Sequence, residues 1–110
     1  MADGDDQFRA IGERLLASDP KIELKRAFSS PGLRYEDKIF AMHVRGDLVV
    51  KLAEGRCGEL ASDGAAKPFR MGNRTMREWV VVGPEREFEW DALADEALAY
   101  ARSASATRRP

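Results

Sequence analysis

Three short apolar runs, Ile39-Phe40-Ala41-Met42, Leu48-Val49-Val50 and Trp79-Val80-Val81-Val82, limit the fold of this chain more than any other feature. Each is far shorter than the ~20 residues a membrane-crossing helix requires. Their β-branched and aromatic content reads as strand. A sheet with one solvated face alternates apolar and polar residues. These runs do not alternate, so both faces of the central strands are expected to need cover. Helices take one face. The other is hidden by a sharply twisted sheet, by a helix that wraps round, or by another chain. Monomers rarely expose contiguous apolar patches above a few hundred Å², so the expected companion is a second copy, giving a homodimer, or another protein partner.

The remaining elements are read around that centre. Phe8, Ile11, Leu15 and Leu16 share one helical face, which predicts an amphipathic helix over Asp5–Ser18 that Pro20 stops. Ile22, Leu24 and Phe28 fall on alternate positions and predict a strand over Lys21–Phe28, ended by a turn at Ser29-Ser30-Pro31-Gly32. Tyr35–Val44 and Leu48–Leu52 are joined by Arg45-Gly46-Asp47 in a tight hairpin. Cys57, Leu60 and Ala61 mark a helix over Glu54–Ser62, kept short by Gly55 and Gly58 and closed by Ser62-Asp63-Gly64. Lys67–Met71 is a fourth strand, placed at an edge because Pro68 has no N–H for a ladder. After the turn Gly72-Asn73-Arg74-Thr75 comes a fifth strand, Arg77–Val82. Trp90, Leu93, Ala94, Ala97, Leu98 and Ala101 stripe a last helix over Asp91–Ser103. The order is α-β-β-β-α-β-β-α, an α+β fold with an antiparallel sheet. Residues 1–103 are expected to form a single domain and 104–110 a disordered tail.

Totals exclude several classes. With 44% apolar and 34% charged residues over 110 positions, the chain is globular, neither disordered nor membrane-embedded. Met1–Gln7 is acidic and lacks the basic-then-apolar order of a signal peptide. A lone cysteine forms no internal disulfide, and a cytoplasmic location is expected. Charge is uneven: residues 1–20 sum to −3, residues 21–80 to +4 and residues 81–110 to −2. The central excess suits either an anionic partner or a solvated surface.

Catalytic chemistry finds little purchase. His43 is the only histidine and lies on an apolar strand, with no second histidine to share a metal or a proton. Cys57 has Arg56 beside it, which would lower a thiol pKa, but free cysteine more often fills a core. Glu36-Asp37 and Asp95-Glu96 are adjacent carboxylates, and neighbours on a strand or helix point apart. No glycine loop stands between a strand and a helix to cradle phosphate. The reading is therefore non-enzymatic, with no cofactor and no metal. For nucleic acid, Lys51, Lys67, Arg70, Arg74 and Arg77, with Arg45 at the other hairpin tip, could line a phosphate backbone as a basic wing. The pI of 5.9 runs against that role.

The residues also carry a resemblance. Phe28 to Leu33, Asp37 to Met42 and Leu48 to Leu52 run in the order of the TfoX/Sxy N-terminal-domain family. The most specific stretch is Pro68-Phe69 followed by Arg74-Thr75-Met76-Arg77-Glu78-Trp79-Val80-Val81-Val82. It is similar to that family's Pro-Phe…Arg-Pro-Met-Lys-Glu-Trp-Val signature, with Thr75 and Arg77 as departures. The resemblance covers about residues 22–102. It implies a two-layer α-β(3)-α-β(2)-α fold with a five-stranded antiparallel sheet, akin to secretion-chaperone-like domains. It further implies a small regulatory or adaptor domain acting through protein contacts, with accessory DNA binding as the alternative. Family regulators carry a C-terminal helical domain that this sequence does not show. Signature residues Phe69, Arg74, Met76, Glu78 and Trp79 are expected to be structural, through an Arg74–Glu78 ion pair and a Trp79 anchor.

Overall fold

The computed structural model describes residues 5–27 and 30–108. It begins with helix α1, Asp5–Ser18, at the bounds its apolar stripe predicts. Phe8, Ile11 and Leu15 are buried, while Leu16 lies at the margin of the stripe and stays exposed. Strands β1 (Ile22–Ala27), β2 (Ser30–Tyr35), β3 (Lys38–Val44) and β4 (Asp47–Lys51) follow as a meander. Helix α2 (Glu54–Ser62) leads into β5 (Lys67–Met71) and β6 (Arg74–Val82). A 3-10 segment, Pro84–Glu89, feeds helix α3, Trp90–Arg108. Among the described residues no helix is long and apolar enough to cross a membrane.

Six strands, not the expected five, make one antiparallel sheet in the order β1-β2-β3-β4-β6-β5 among the described residues. The extra strand is β2, which includes Ser30, Pro31 and Gly32, three residues the sequence assigns to a turn. Pro31 is tolerated there because the ladder to β3 starts one residue later, at Gly32↔Met42. Gly32 is required for a different reason. A methyl group on it would stand 3.1 Å from the carbonyl oxygen of Lys25 and 3.4 Å from that of Ala41, one on each flanking strand. The expected run Tyr35–Val44 is broken at Glu36, which takes φ +57 so that β2 can turn back as β3. Residue 28, expected to end the first strand, and residue 29, expected to open the turn, lie outside the described set.

Other boundaries hold or move for local reasons. Arg45 and Gly46 both take positive φ (52° and 86°), the two-residue turn whose twist suits a hairpin. Gly64 at φ +76 ends α2, and the N–H groups of Asp63, Gly64 and Ala65 close its last carbonyls. Pro68 does lie on an edge strand, and the β5–β6 register shifts directly after it. β6 starts at Arg74, three residues early, because the Gly72-Asn73 turn pairs Met71 directly with Arg74. α3 continues through 104–108, which the sequence assigns to a disordered tail; Ser-Ala-Ser-Ala-Thr contains no glycine or proline to stop it. Residues 109–110 lie outside the described set.

Cross-strand register sorts the core. One row runs Leu24–Leu33–Ala41–Val50–Val80 and a second His43–Leu48–Val82. The register slips between Leu33 and Arg34 against β3, leaving Phe40 as the extra residue of a bulge. Phe40 and Ala41 are consequently both fully buried in one cluster with Ile11, Leu33, Leu48, Val50, Val82, Trp90 and Ala97. Trp90 also donates its indole N–H to the Gly83 carbonyl at 3.2 Å. On the opposite side of the strands another row runs Gly32–Met42–Val49–Val81, ending in Lys25 and Lys67. Met42 and Val49 are each only 1% exposed although they lie outside the main cluster.

Candidate functional site

The expected demand for a companion over the sheet is met in large part within the chain. Phe40, Met42 and Val49 are buried, while Ile39, Trp79 and Val81 are half-buried. Alternation sets Val44, Asp47, Lys51 and Val81 around Met42 and Val49, and the bulge in β3 sharpens the local twist that brings such neighbours together. The large apolar side chains left exposed are elsewhere: Leu16, Leu24, Met71 and Phe88 among the described residues.

Two of these four meet. Leu24 on β1 is 58% exposed although it belongs to the core row, because β1 is the edge of the sheet and α1 leans over only part of it. Leu16 of α1 stands nearby, and the two help line a groove of about 330 Å³ with Phe8, Gly12 and Pro31. Arg9 and Glu13 stand at its sides. Helix α1 is fixed in this position by Arg14, which reaches Asp91 at 2.9 Å and Asp95 at 3.0 Å on α3. Gln7 adds a bond to Asp91 at 2.9 Å. These exposed pairs orient α1 more than they stabilise it. The sequence could not reveal this groove, since Ile22–Ala27 has no proline to mark it as an edge strand.

The residues proposed for nucleic acid do not form one patch. Lys51, Arg74 and Arg77 line a polar groove of about 740 Å³ together with Met76, Trp79, Glu54 and Glu78. Its cations are partly offset: Lys51 lies 3.9 Å from Glu78, and Arg77 3.9 Å from Glu54. Lys67 sits in a different cleft, beside Asp47 and Glu85. There burial, then the nearby Glu85, holds the Asp47 carboxyl above its usual range. Arg70 and Arg74 are exposed, with no ion pair among the described residues. Phe69 is half-buried, its ring 6.3 Å from that of Trp79.

The signature stretch works differently from expectation. Glu78 does not pair with Arg74. Its carboxylate accepts the Tyr100 hydroxyl of α3 at 3.3 Å, and its backbone carbonyl accepts the Leu52 N–H at 2.9 Å. Glu78 thereby joins β6 to α3 and to the end of β4. Trp79 is half-buried, less of an anchor than the fully buried Trp90.

Both residues weighed for catalysis are packed within the fold. Cys57 is buried and its thiol donates to the Leu52 carbonyl at 3.6 Å. Burial pushes that thiol up, away from the reactive thiolate. Arg56, the cation beside it, is held by Glu96 at 2.7 Å and Glu59 at 3.1 Å. His43 packs against Phe8, stacked at 5.3 Å, and edge-on to Trp90 at 5.9 Å. Among the described residues no three of His, Cys, Asp and Glu converge as a metal site would need.

Comparison with known proteins gives one family. The model of the TfoX N-terminal domain matches residues 14–104. No curated protein matches the chain at a significant level.

Proposed function

The chain belongs to the TfoX N-terminal domain family, and on that premise we propose that it is a small regulatory or adaptor domain acting through protein contacts. It does so as a homodimer and without catalytic activity. The family is not one of known enzymes, and the buried, raised Cys57 thiol and the packed His43 agree with a non-catalytic role. In this reading residues 1–103 act as one domain of two layers, helices α1–α3 on one face of the sheet. Ion pairs that link α1 to α3 and α2 to α3 side by side support that layering.

One observation carries the proposal: an apolar groove with exposed Leu16 and Leu24 lies along an open sheet edge. Among the described residues four large apolar side chains are exposed, and two of them lie along this one groove, which offers a contact surface. The alternative is accessory DNA binding by the β5–β6 hairpin, supported by the exposed Arg70 and Arg74, which make no ion pair among the described residues. The carboxylates beside Lys51, Lys67 and Arg77 weigh against it, because they dilute the field a phosphate backbone would meet.

One set of measurements tests both. Sedimentation across micromolar concentrations, followed by cross-linking in the native extract, should find a dimer or a defined heterologous complex. A strictly monomeric chain with no cross-linked partner defeats the adaptor reading. Binding to short duplex DNA that weakens steeply with salt, and is lost in Arg70→Ala with Arg74→Ala, would transfer the assignment to the hairpin.

A further inference from the structure

Strand β1 is an edge of the sheet among the described residues, and its sequence is self-complementary. Along the β1–β2 ladder, the Lys21 carbonyl accepts the Glu36 N–H at 3.1 Å, so Lys21 bonds inward. The register is unbroken from Ile22↔Tyr35 to Ala27↔Ser30. Inward and outward bonding alternate along an antiparallel strand. Glu23 and Lys25 therefore bond inward, while the N–H and C=O of Leu24 and the C=O of Ile22 point away from the sheet; the Ile22 N–H is taken by the Asp19 carbonyl at 3.1 Å.

We infer that two copies of the chain pair antiparallel through β1 about a two-fold axis at Leu24, joining their sheets into one. This rests on the adaptor reading above and names its partner and surface. In that register Leu24 of each copy exchanges both backbone bonds with Leu24 of the other. Glu23 then faces Lys25 of the second copy, and Lys25 faces its Glu23. These are non-hydrogen-bonded positions, where Cα atoms approach to about 4.5 Å and side chains interact most closely. The strand's charge order of acid, Leu24, base is what makes the antiparallel pairing attractive in both directions at once.

The apolar side agrees with the same geometry. A two-fold axis normal to the sheet brings both copies of α1 to the same face. Leu24 and Leu16, 58% and 36% exposed in the single chain, then cover their counterparts across the seam. Glu23 is already oriented, since Arg34 on β2 donates to its Oε1 through Nε at 3.1 Å from the inner side. The other edge lacks these properties. β5 carries Pro68, a register shift, and Lys67 and Arg70 with no acid, so two copies of it repel.

The test uses the full chain. Sedimentation should give a dimer. Lys25→Glu and Glu23→Lys should each raise the dimer dissociation constant about tenfold, because two attractive pairs become repulsive. An equimolar mixture of those two variants should recover the parental affinity as a heterodimer. Under mild oxidation Leu24→Cys should cross-link through position 24, where paired Cα atoms stand about 5.5 Å apart, a separation a disulfide spans. Met71→Cys, exposed at the far hairpin, should not. Unchanged circular dichroism shows that each variant is folded. A monomer at every concentration overturns the inference, and the adaptor reading then stands or falls on heterologous cross-linking alone. A dimer indifferent to all these changes also overturns it, while leaving the adaptor reading intact.

Discussion

Replacing Gly32 by alanine should destabilise the protein, whereas the same change at Gly12 should stabilise it. At Gly32 the new methyl would meet two backbone carbonyl oxygens, at 3.1 Å and 3.4 Å, plus the Met42 Cγ at 3.5 Å. The oxygens belong to β1 and β3, so neither gives way without moving a strand of the sheet. Overpacking of this kind costs roughly 1–3 kcal/mol. Alanine also restricts the unfolded chain, which returns about 0.4–1 kcal/mol. The net expectation is a loss of about 1.3 kcal/mol, or a fall in Tm of roughly 6 °C for a chain of this size. At Gly12, in the middle of α1, the nearest atom to the new methyl is Leu33 Cδ2 at an ordinary 3.7 Å. Helix propensity then decides, and Gly12→Ala should gain up to about 1 kcal/mol. The unfolded-state contribution is the same in both variants, so their difference isolates the close approach of strands at Gly32. Thermal and urea melts followed by circular dichroism measure it. A Gly32→Ala protein as stable as the Gly12→Ala one would refute the account of why β2 has glycine there.

Two further outcomes follow from single residues. Arg45 holds φ +52 in a two-residue turn beside Gly46, so Arg45→Asn, better suited to that region, should raise stability by about 0.5–1 kcal/mol in urea melts; a loss would mean that Arg45 makes contacts worth more than its backbone strain. Asp19 accepts the Lys21 N–H at 2.9 Å and the Arg102 guanidinium at 2.7 Å, and those bonds, the backbone one first, hold its carboxyl below the usual range. A depressed carboxylate contributes stability that is present above its unfolded pKa of about 3.9 and is lost as pH falls through the folded value. Melting temperature should therefore drop less steeply below about pH 4 in Asp19→Asn than in the parent, and parallel curves would show that neither the Lys21 nor the Arg102 bond holds the carboxylate in solution.

Much of the fold was legible because its signals are local. The stripe Phe8, Ile11, Leu15 fixes α1, the positive-φ pair Arg45-Gly46 fixes the β3–β4 hairpin, and Gly64 fixes the end of α2. Local signals mislead at two places, and at the first a tertiary contact overrides them. Pro31 and Gly32 look like a turn by composition, yet they continue a strand. The missing N–H of Pro31 falls before the β3 ladder, and the absent Cβ of Gly32 is what lets three strands approach. Ser103 looked like a helix end by the fading of apolar residues, although nothing after it forbids a helix.

By itself the sequence determined the fold class, the positions of most strands and helices, and membership of a family through Pro68-Phe69 and Arg74–Val82. All of these depend on periodicity and residue type, which are written along the chain. Only the tertiary structure decided which apolar side chains find cover. Met42 and Val49 are sheltered mid-row within a bulged sheet, whereas Leu24, equally apolar and equally well phased, is left in the open because its strand has a neighbour on one side only and, unlike Ile22, it lies beyond the cover of α1. Exposure of a strand residue depends on strand order, and strand order is settled by which long-range pairings win, not by any residue alone.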